Sequence, residues 1–342
     1  VRQLWHDSCC GSDTQDKQID LPKLRRFDRL KKMAKYGIPY QGSKDRIIHK
    51  IASVFPAAEN FYDLFGGGFS VSHYMLLHRP HLVHFNELQP GNGELIRAAI
   101  AGRYNYEVFK PEWITREMFA ARKKTCAYTR IIWSFGNNQK GYIFGKAIEP
   151  HKRSLHQAVV FGEFDDTARE ILGFSTWPAH LSIRGRRLVA CGKIRSEAKR
   201  IDLERLERLQ RLQRLQQLQQ LEQLERLQQL ERLERLERLE RLTMTSLSYD
   251  EVPIKPNSVI YCDPPYAGTA GYLGEFDHDK FWNWVRTNPN PVFVSEYTAP
   301  PDMKVVMAIR HQKTNSQTST ASVEKLFCNQ AAEAMYPGIP SL

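Results

Sequence analysis

The chain has 342 residues, 49 Lys and Arg against 38 Asp and Glu, a formal net charge of +11, and 42% hydrophobic residues. That apolar content is enough for a buried core and excludes wholesale disorder, and the length fits one large domain or two of roughly 100–200 residues. No uncharged apolar run reaches the ~18 residues of a membrane span, and residues 1–20 have no apolar leader core, so an intracellular, cytoplasmic location with no membrane partner is expected.

In chain order, residues 1–35 read as a polar, basic extension whose last part, Leu24 to Lys35, is a predicted helix. From Tyr36 the character changes. Ile38 to Lys44 is turn-rich, and Lys44 to Val54 is a predicted amphipathic helix with Ile47, Ile48, Ile51 and Val54 on one face. Phe61 to Phe65 reads as a buried strand running into Gly66-Gly67-Gly68. Phe69 to Leu77 reads as a helix, and Leu82 to Phe85 as a second strand ending at Asn86-Glu87. Strand, glycine loop, helix, strand, acid is the grammar of a nucleotide-binding βαβ unit. Residues 36–102 are therefore taken as a cofactor-binding part.

Residues 103–200 hold 19 basic and 9 acidic side chains and so carry most of the net charge. Such a block suits a polyanionic partner, nucleic acid first; a solvated basic surface is the alternative. Leucine then recurs at every third position from Leu203 to Leu242, fourteen times, with Glu, Gln and Arg between. Beyond it, residues 243–330 carry predicted strands at Ser258 to Cys262 and Pro291 to Glu296. The 320–328 segment reads as a strand or short helix, and residues 331–342 as a tail. The six cysteines include no C-x-x-C pair and no cluster with histidine, so reduced thiols and no metal are expected.

Two motifs carry chemistry. The loop after Asp63 lets backbone approach a ligand at the carboxyl edge of a sheet, and Glu87 could accept hydrogen bonds from ribose hydroxyls. No phosphate-cradling G-x-x-x-x-G-K-S/T motif is present. At the end of the later strand stands Asp263-Pro264-Pro265-Tyr266. The prolines hold φ near about −65° and remove backbone donors. They leave rigid carbonyls beside a carboxylate and a flat aromatic face. That set is a receptor for a planar base with an amino group, whose hydrogens it would hold while the nitrogen lone pair faces an electrophile.

Tyr40-Gln41-Gly42-Ser43-Lys44, then Asp63-Leu64-Phe65-Gly66-Gly67-Gly68, then Asp263-Pro264-Pro265-Tyr266 resembles the Dam-type DNA adenine N6-methyltransferases, in motifs and in their order. The resemblance spans about Tyr36 to Asn329 and is closest to phage or mobile-element members. It implies an α/β fold: a Rossmann-like, S-adenosylmethionine-dependent methyltransferase sheet with helices on both faces and a target-recognition insert at 103–200. It implies S-adenosylmethionine as cofactor, double-stranded DNA as partner and nucleoid association through that DNA. Residue by residue, Tyr40, Lys44, Asp63, Phe65, Gly66, Gly68, Glu87 and Asp250 would bind the cofactor. Asp263, Pro264, Pro265 and Tyr266 would be catalytic. Arg116, Arg122, Lys123, Lys124, Asn137, Asn138, Lys152 and Arg153 are DNA-contact candidates, with Arg184, Arg186 and Arg187 beside them. Cytosine N4 methylation, or a decayed methyltransferase acting as a nucleic-acid-binding scaffold, stays open as an alternative.

The repeat at 201–242 is built of strong helix formers, with Glu–Arg pairs four apart at Glu204–Arg208, Glu231–Arg235, Glu234–Arg238 and Glu237–Arg241. A period of three moves each leucine 300° around a helix, so no one face stays apolar and a regular coiled coil is disfavoured. The expectation is a helical insertion of variable copy number that acts as a spacer or in self-association, or has no role.

Overall fold

A computed structural model describes residues 36–106, 109–201, 221–236, 239–266, 276–311 and 322–335. The predicted helix over 24–35, the first half of the repeat and most of the tail lie outside these residues. The central feature is a seven-stranded sheet of β1 (Asn60–Asp63), β2 (Leu82–Asn86), β3 (Leu242–Thr245), β4 (Ser258–Cys262), β5 (Val292–Glu296), β6 (Lys304–His311) and β7 (Ser322–Cys328), in the order β3-β2-β1-β4-β5-β7-β6. The strands β3, β2, β1, β4 and β5 run parallel, and β7 pairs antiparallel with both β5 and β6. This is a mixed α/β architecture compatible with a Rossmann-like fold.

The sequence explains the layers. β1, β4 and β5 are buried along their whole length, and their side chains alternate between two cores. Phe61, Val259, Tyr261 and Phe293 belong to one, and Tyr62, Ile260, Val292 and Val294 to the other. Strands apolar on both sides need cover on both faces. The first face is covered by α1 (Ile48–Ile51), α2 (Ser70–His78) and α3 (Asn92–Ile100), the second by α10 (His278–Thr287) through Phe281, Trp282 and Val285. The 103–200 block is helical: α4 (Arg116–Arg122), α5 (Ala127–Ile132), α6 (Glu149–His156), α7 (Asp166–Leu172) and α8 (Ile183–Ile201). The chain re-enters through α9 (Glu222–Leu233) and ends its described part with α11 (Gln330–Glu333).

The described part of the repeat departs from the expectation of an insertion that leaves the sheet undisturbed. Leu221, Leu224, Leu227, Leu230 and Leu233 are 0% exposed and Leu236 is 6% exposed. With a period of three, these leucines point around most of the helix, so α9 is buried on nearly all sides. It packs on α3 and α5 in the same core as the sheet. Its polar residues join in. Arg226 donates to the carbonyls of Ile131, Ile132 and Ser134 at 3.3, 2.7 and 2.6 Å, at the C-terminal end of α5. Arg241 donates to Arg79 O at 2.8 Å and to Leu76 O at the end of α2. Both guanidiniums satisfy last-turn carbonyls at the negative end of a helix dipole. Leu242, the last leucine of the repeat, is the first residue of β3. The leucines from 221 to 236 are thus buried within the chain's own core and are not a free apolar seam.

Among the described residues, no helix is long and apolar enough to cross a membrane, and no group of three or more His, Cys, Asp or Glu could hold a metal ion. If α9 is a core helix, Leu227→Ala should destabilise the protein by about 2–5 kcal/mol, as other buried leucine truncations do. Urea unfolding measures this, and a loss below about 0.5 kcal/mol would place the repeat outside the cooperative core.

Candidate active site at the carboxyl edge of the sheet

Asp63 ends β1, Glu87 follows β2 and Asp263 follows β4, so three acids stand at the carboxyl ends of adjacent parallel strands. The strand order reverses between β1 and β4, which makes this the topological switch point where open α/β sheets hold ligands.

The glycine loop is shaped by protein on both sides. Gly66 N–H donates to Asn86 O at 2.9 Å, and Ile38 N–H donates to Gly68 O at 2.8 Å, drawing the 36–44 segment across the loop. A Cβ at Gly66 would stand 2.1 Å from the Phe85 ring, and one at Gly68 would stand 2.4 Å from Tyr40 Cβ. The absent side chains of Gly66 and Gly68 therefore make room for Phe85 and Tyr40. Glu87 closes the loop from the other side, accepting from Gly67 N–H at 2.6 Å and Gln89 N–H at 2.7 Å. Burial raises the Glu87 pKa, against those two bonds and the Arg130 charge, which lower it.

Asp63 is 1% exposed. Its Oδ2 accepts from Ser72 N–H at 3.2 Å and Ser72 Oγ–H at 2.7 Å, at the start of α2. Its Oδ1 is buried with no hydrogen-bond partner among the described residues. Burial pushes its pKa up to about 7, Ser72 pulls it down, and the Asp263 charge adds to the rise. A buried carboxylate with one bare oxygen is costly unless something positive or hydrogen-bonding joins it.

Lys44 is the hub beside it. It is 5% exposed, and its Nζ lies 2.9 Å from Asp263 Oδ1 and 3.0 Å from Glu324 Oε1. It donates to Tyr266 OH at 2.7 Å, and that hydroxyl donates to Glu324 Oε1 at 2.8 Å. Burial lowers the Lys44 pKa, but Asp263 and Glu324 more than offset it and the net shift is upward. Burial and Glu324 push Asp263 up to about 6, with Lys44 opposing. The Tyr266 ring meets Tyr297 edge-on, with centroids 4.8 Å apart. Pro264 is buried and Pro265 half-buried beside it. Farther along the edge, Phe65 stacks on Tyr249 at 5.6 Å. The neighbouring Asp250 pairs with Lys280 at 2.6 Å and accepts from Ser248 Oγ–H. Lys280 and Ser248 hold the Asp250 pKa below the usual carboxylate range.

Tyr40, Lys44, Asp63, Gly66, Gly68, Glu87, Asp263 and Tyr266 thus lie together at this edge, and Phe65 and Asp250 flank them. Glu324 and Ser72 were not singled out in the sequence. Glu324 had a readable signal: it shares a strand face with Leu326 and Cys328, an unusual place for an acid. The basic block is more mixed. Lys124 and Arg153 are exposed. Arg122 pairs with Glu112 at 2.6 Å, and Lys123 donates to Lys140 O at 2.8 Å. Arg116 lies over the Tyr142 ring and bonds Phe144 O and Glu149. Asn138 accepts from Lys140 and Gly141 N–H groups in a turn, and Asn137 beside it is half-buried. Lys152 and Arg187, however, are 2% and 5% exposed. Lys152 sits over Phe144, and Arg187 bonds Gln228 and Glu225. That burial withdraws both from any surface facing a phosphate backbone. Arg130, also buried, bonds Pro90 O, Asn92 and Gln139, and so fastens the helical block to the loop after β2.

The chain matches no protein-family model and no curated protein.

Asp63 also makes a stability prediction. Its folded pKa is raised from 3.8 to about 7, so its contribution is fully present below pH 3.8 and is lost as pH rises through about 7. Asp63→Asn should therefore raise the melting temperature at pH 8, with the difference shrinking towards pH 4. Equal melting shifts at both pH values would contradict the assigned environment.

Proposed function

We propose that the protein is a site-specific DNA methyltransferase that moves a methyl group from S-adenosylmethionine to N6 of an adenine flipped out of duplex DNA. The observation that carries this reading is a juxtaposition across two neighbouring strand ends. Asp63 keeps a buried, bare carboxylate oxygen at the end of β1, and the Asp263–Tyr266 acceptor group follows β4. The first is a seat for an ammonium; the second is a seat for an amine on a flat ring.

The donor set fits the cofactor. Asp63 Oδ1 would accept from its amino-acid ammonium. Each Glu87 oxygen already accepts one backbone N–H and keeps a lone pair for a ribose hydroxyl. Asp250 would take the adenine amine. When bound, the cofactor supplies a methyl group activated by its sulfonium.

The chain's own residues then do the rest. Asp263, ionised above about pH 6, accepts an amino hydrogen of the target base, and the Pro264 carbonyl takes the other. The nitrogen lone pair turns towards the methyl group. As the N–C bond formed, the methyl carbon's bond to the sulfonium sulfur would break, the sulfur leaving with the electron pair as a neutral thioether, and the nitrogen would shed one proton, which Asp263 is placed to receive. Extruding the base costs about a few kcal/mol, and stacking on Tyr266 returns about 1–3 kcal/mol. Among the described candidates, exposed Lys124, Arg153 and Arg184 and the paired Arg122 would meet phosphates, whose neutralisation makes binding fall with salt.

Asp263→Ala should keep cofactor binding and lose methyl transfer to duplex DNA by at least about a hundredfold, the scale of an acid–base group; undiminished transfer of labelled methyl would refute the site. Cofactor binding should itself depend on pH. An ammonium pairs with ionised Asp63, so below about pH 7 binding must displace a proton and affinity should fall by about tenfold per pH unit. Calorimetry in buffers of different ionisation enthalpy reads the proton, and a flat affinity from pH 5.5 to 8 would contradict the pairing.

A further inference from the structure

The acceptor side of the site contains a group that neither the glycine loop nor the Asp-Pro-Pro-Tyr motif supplies. Glu324 is 7% exposed and lies on β7. Because β7 runs antiparallel to β5, its first residues lie at the edge where the parallel strands end. Lys325 pairs with Glu296, the last residue of β5, and Glu324 is one residue beyond. An acid in that place looks across the end of β5 to the end of β4. There its Oε1 meets both Lys44 Nζ, at 3.0 Å, and Tyr266 OH, at 2.8 Å.

Resting on the function proposed above, we infer that Glu324 is a positioning residue for the base-accepting side of the site: it clamps Tyr266 by its hydroxyl and shares Lys44 with Asp263. Three facts carry this. Tyr266 OH is held from two directions, donating to Glu324 and accepting from Lys44, so the far end of the ring is fixed while its edge rests on Tyr297. A tyrosine that serves as a stacking platform needs that fixity, since a freely turning ring would have to be ordered on every binding event. The single ammonium of Lys44 is divided between two carboxylates. Asp263 therefore receives only part of its compensation.

That division has a consequence for pH. The groups around Asp263 among the described residues are Lys44 from the 36–44 segment, Glu324 from β7, Tyr266 in its own loop, Tyr261 and Cys262 on β4, and Asp63 at the end of β1. Of these Lys44 alone is cationic. Removing the Glu324 charge takes away a like charge and leaves Lys44 to Asp263 alone. Both changes favour the ionised Asp263, so it should stay an acceptor to lower pH. A residue that served only to hold β7 in the sheet would not move the profile.

The test compares Glu324→Gln, Tyr266→Phe and the double variant, with kcat/KM for duplex DNA measured at saturating cofactor across pH 5 to 8. Saturation removes the titration of cofactor binding from the profile. Each single change should lower kcat/KM by about tenfold or more, the loss expected for one hydrogen bond to a charged group. The double variant should lose less than the product of the two single losses, because the charge-assisted Tyr266–Glu324 bond, weakened by one change and removed by the other, is counted only once. In Glu324→Gln the acid limb should move to lower pH, and cofactor affinity should be unchanged. Losses that multiply in the double variant, or an acid limb that stays in place, would overturn the inference. If Glu324→Gln does not fold, Glu324→Asp, which keeps the charge and withdraws the carboxylate by one methylene, goes through the same cycle with Tyr266→Phe. Non-additivity there supports the clamp and additivity overturns it. Wild-type protein that transfers no methyl group would sink the parent reading and this inference together; wild-type transfer with additive variants would sink this inference alone.

Discussion

A lysine ammonium is buried at the carboxyl edge of the sheet, and two carboxylates from different strands converge on it. An isolated buried ammonium would lose its proton, so Lys44 keeps its charge only because Asp263 and Glu324 are there. The same constraint runs the other way. Two carboxylates this close together would repel without the cation between them. Lys44 comes from the segment that crosses the glycine loop, Asp263 from the loop after β4, and Glu324 from the antiparallel strand. One ion cluster therefore fixes three separate parts of the chain, and Tyr266 is oriented as a result.

Next to this ion-paired cluster stands a carboxylate with no cation beside it among the described residues. Asp63 has one oxygen held by Ser72 and one with no partner among the described residues. Natural proteins keep such groups mainly where a ligand completes them. The contrast separates two roles at one edge. Among the described residues, Asp63 Oδ1 has no charge opposite it that compares with Lys44, whereas Asp263 and Glu324 share that ammonium. The glycine loop is a packing device, because Phe85 and Tyr40 occupy the places its side chains would take.

How much of this was legible in the sequence varied with the range of the interactions. The first βαβ unit and the strand before Asp263 were readable, because buried strands, a glycine loop and a Pro-Pro corner are local signals. The edge strands β3 and β6 were not. β3 begins on the last leucine of a repeat whose composition speaks for helix, and its strand conformation comes from pairing with β2. Glu324 stood out only as an acid on an otherwise apolar strand face; its role was not legible, because its partners lie more than 50 residues away in the chain. The repeat misled for a physical reason. A period of three leaves no apolar face, which suggests an exposed or supercoiled helix, yet a helix surrounded by protein needs no face. Arg226 and Arg241 could join that core only because two helix ends, at α5 and α2, offered carbonyls to them. Lys152 and Arg187 show the converse: counted with the basic surface in the sequence, they are buried in the fold.

The central claim is that the switch-point edge transfers a methyl group to an exocyclic amine of a DNA base. Incubating the protein with S-adenosylmethionine and duplex DNA, digesting the DNA to nucleosides and weighing them tests it most directly. The account predicts N6-methyldeoxyadenosine that accumulates with time and is absent without cofactor. N4-methyldeoxycytidine would contradict the choice of base while keeping the chemistry. DNA that stays unmodified at saturating cofactor and low salt would contradict the account as a whole.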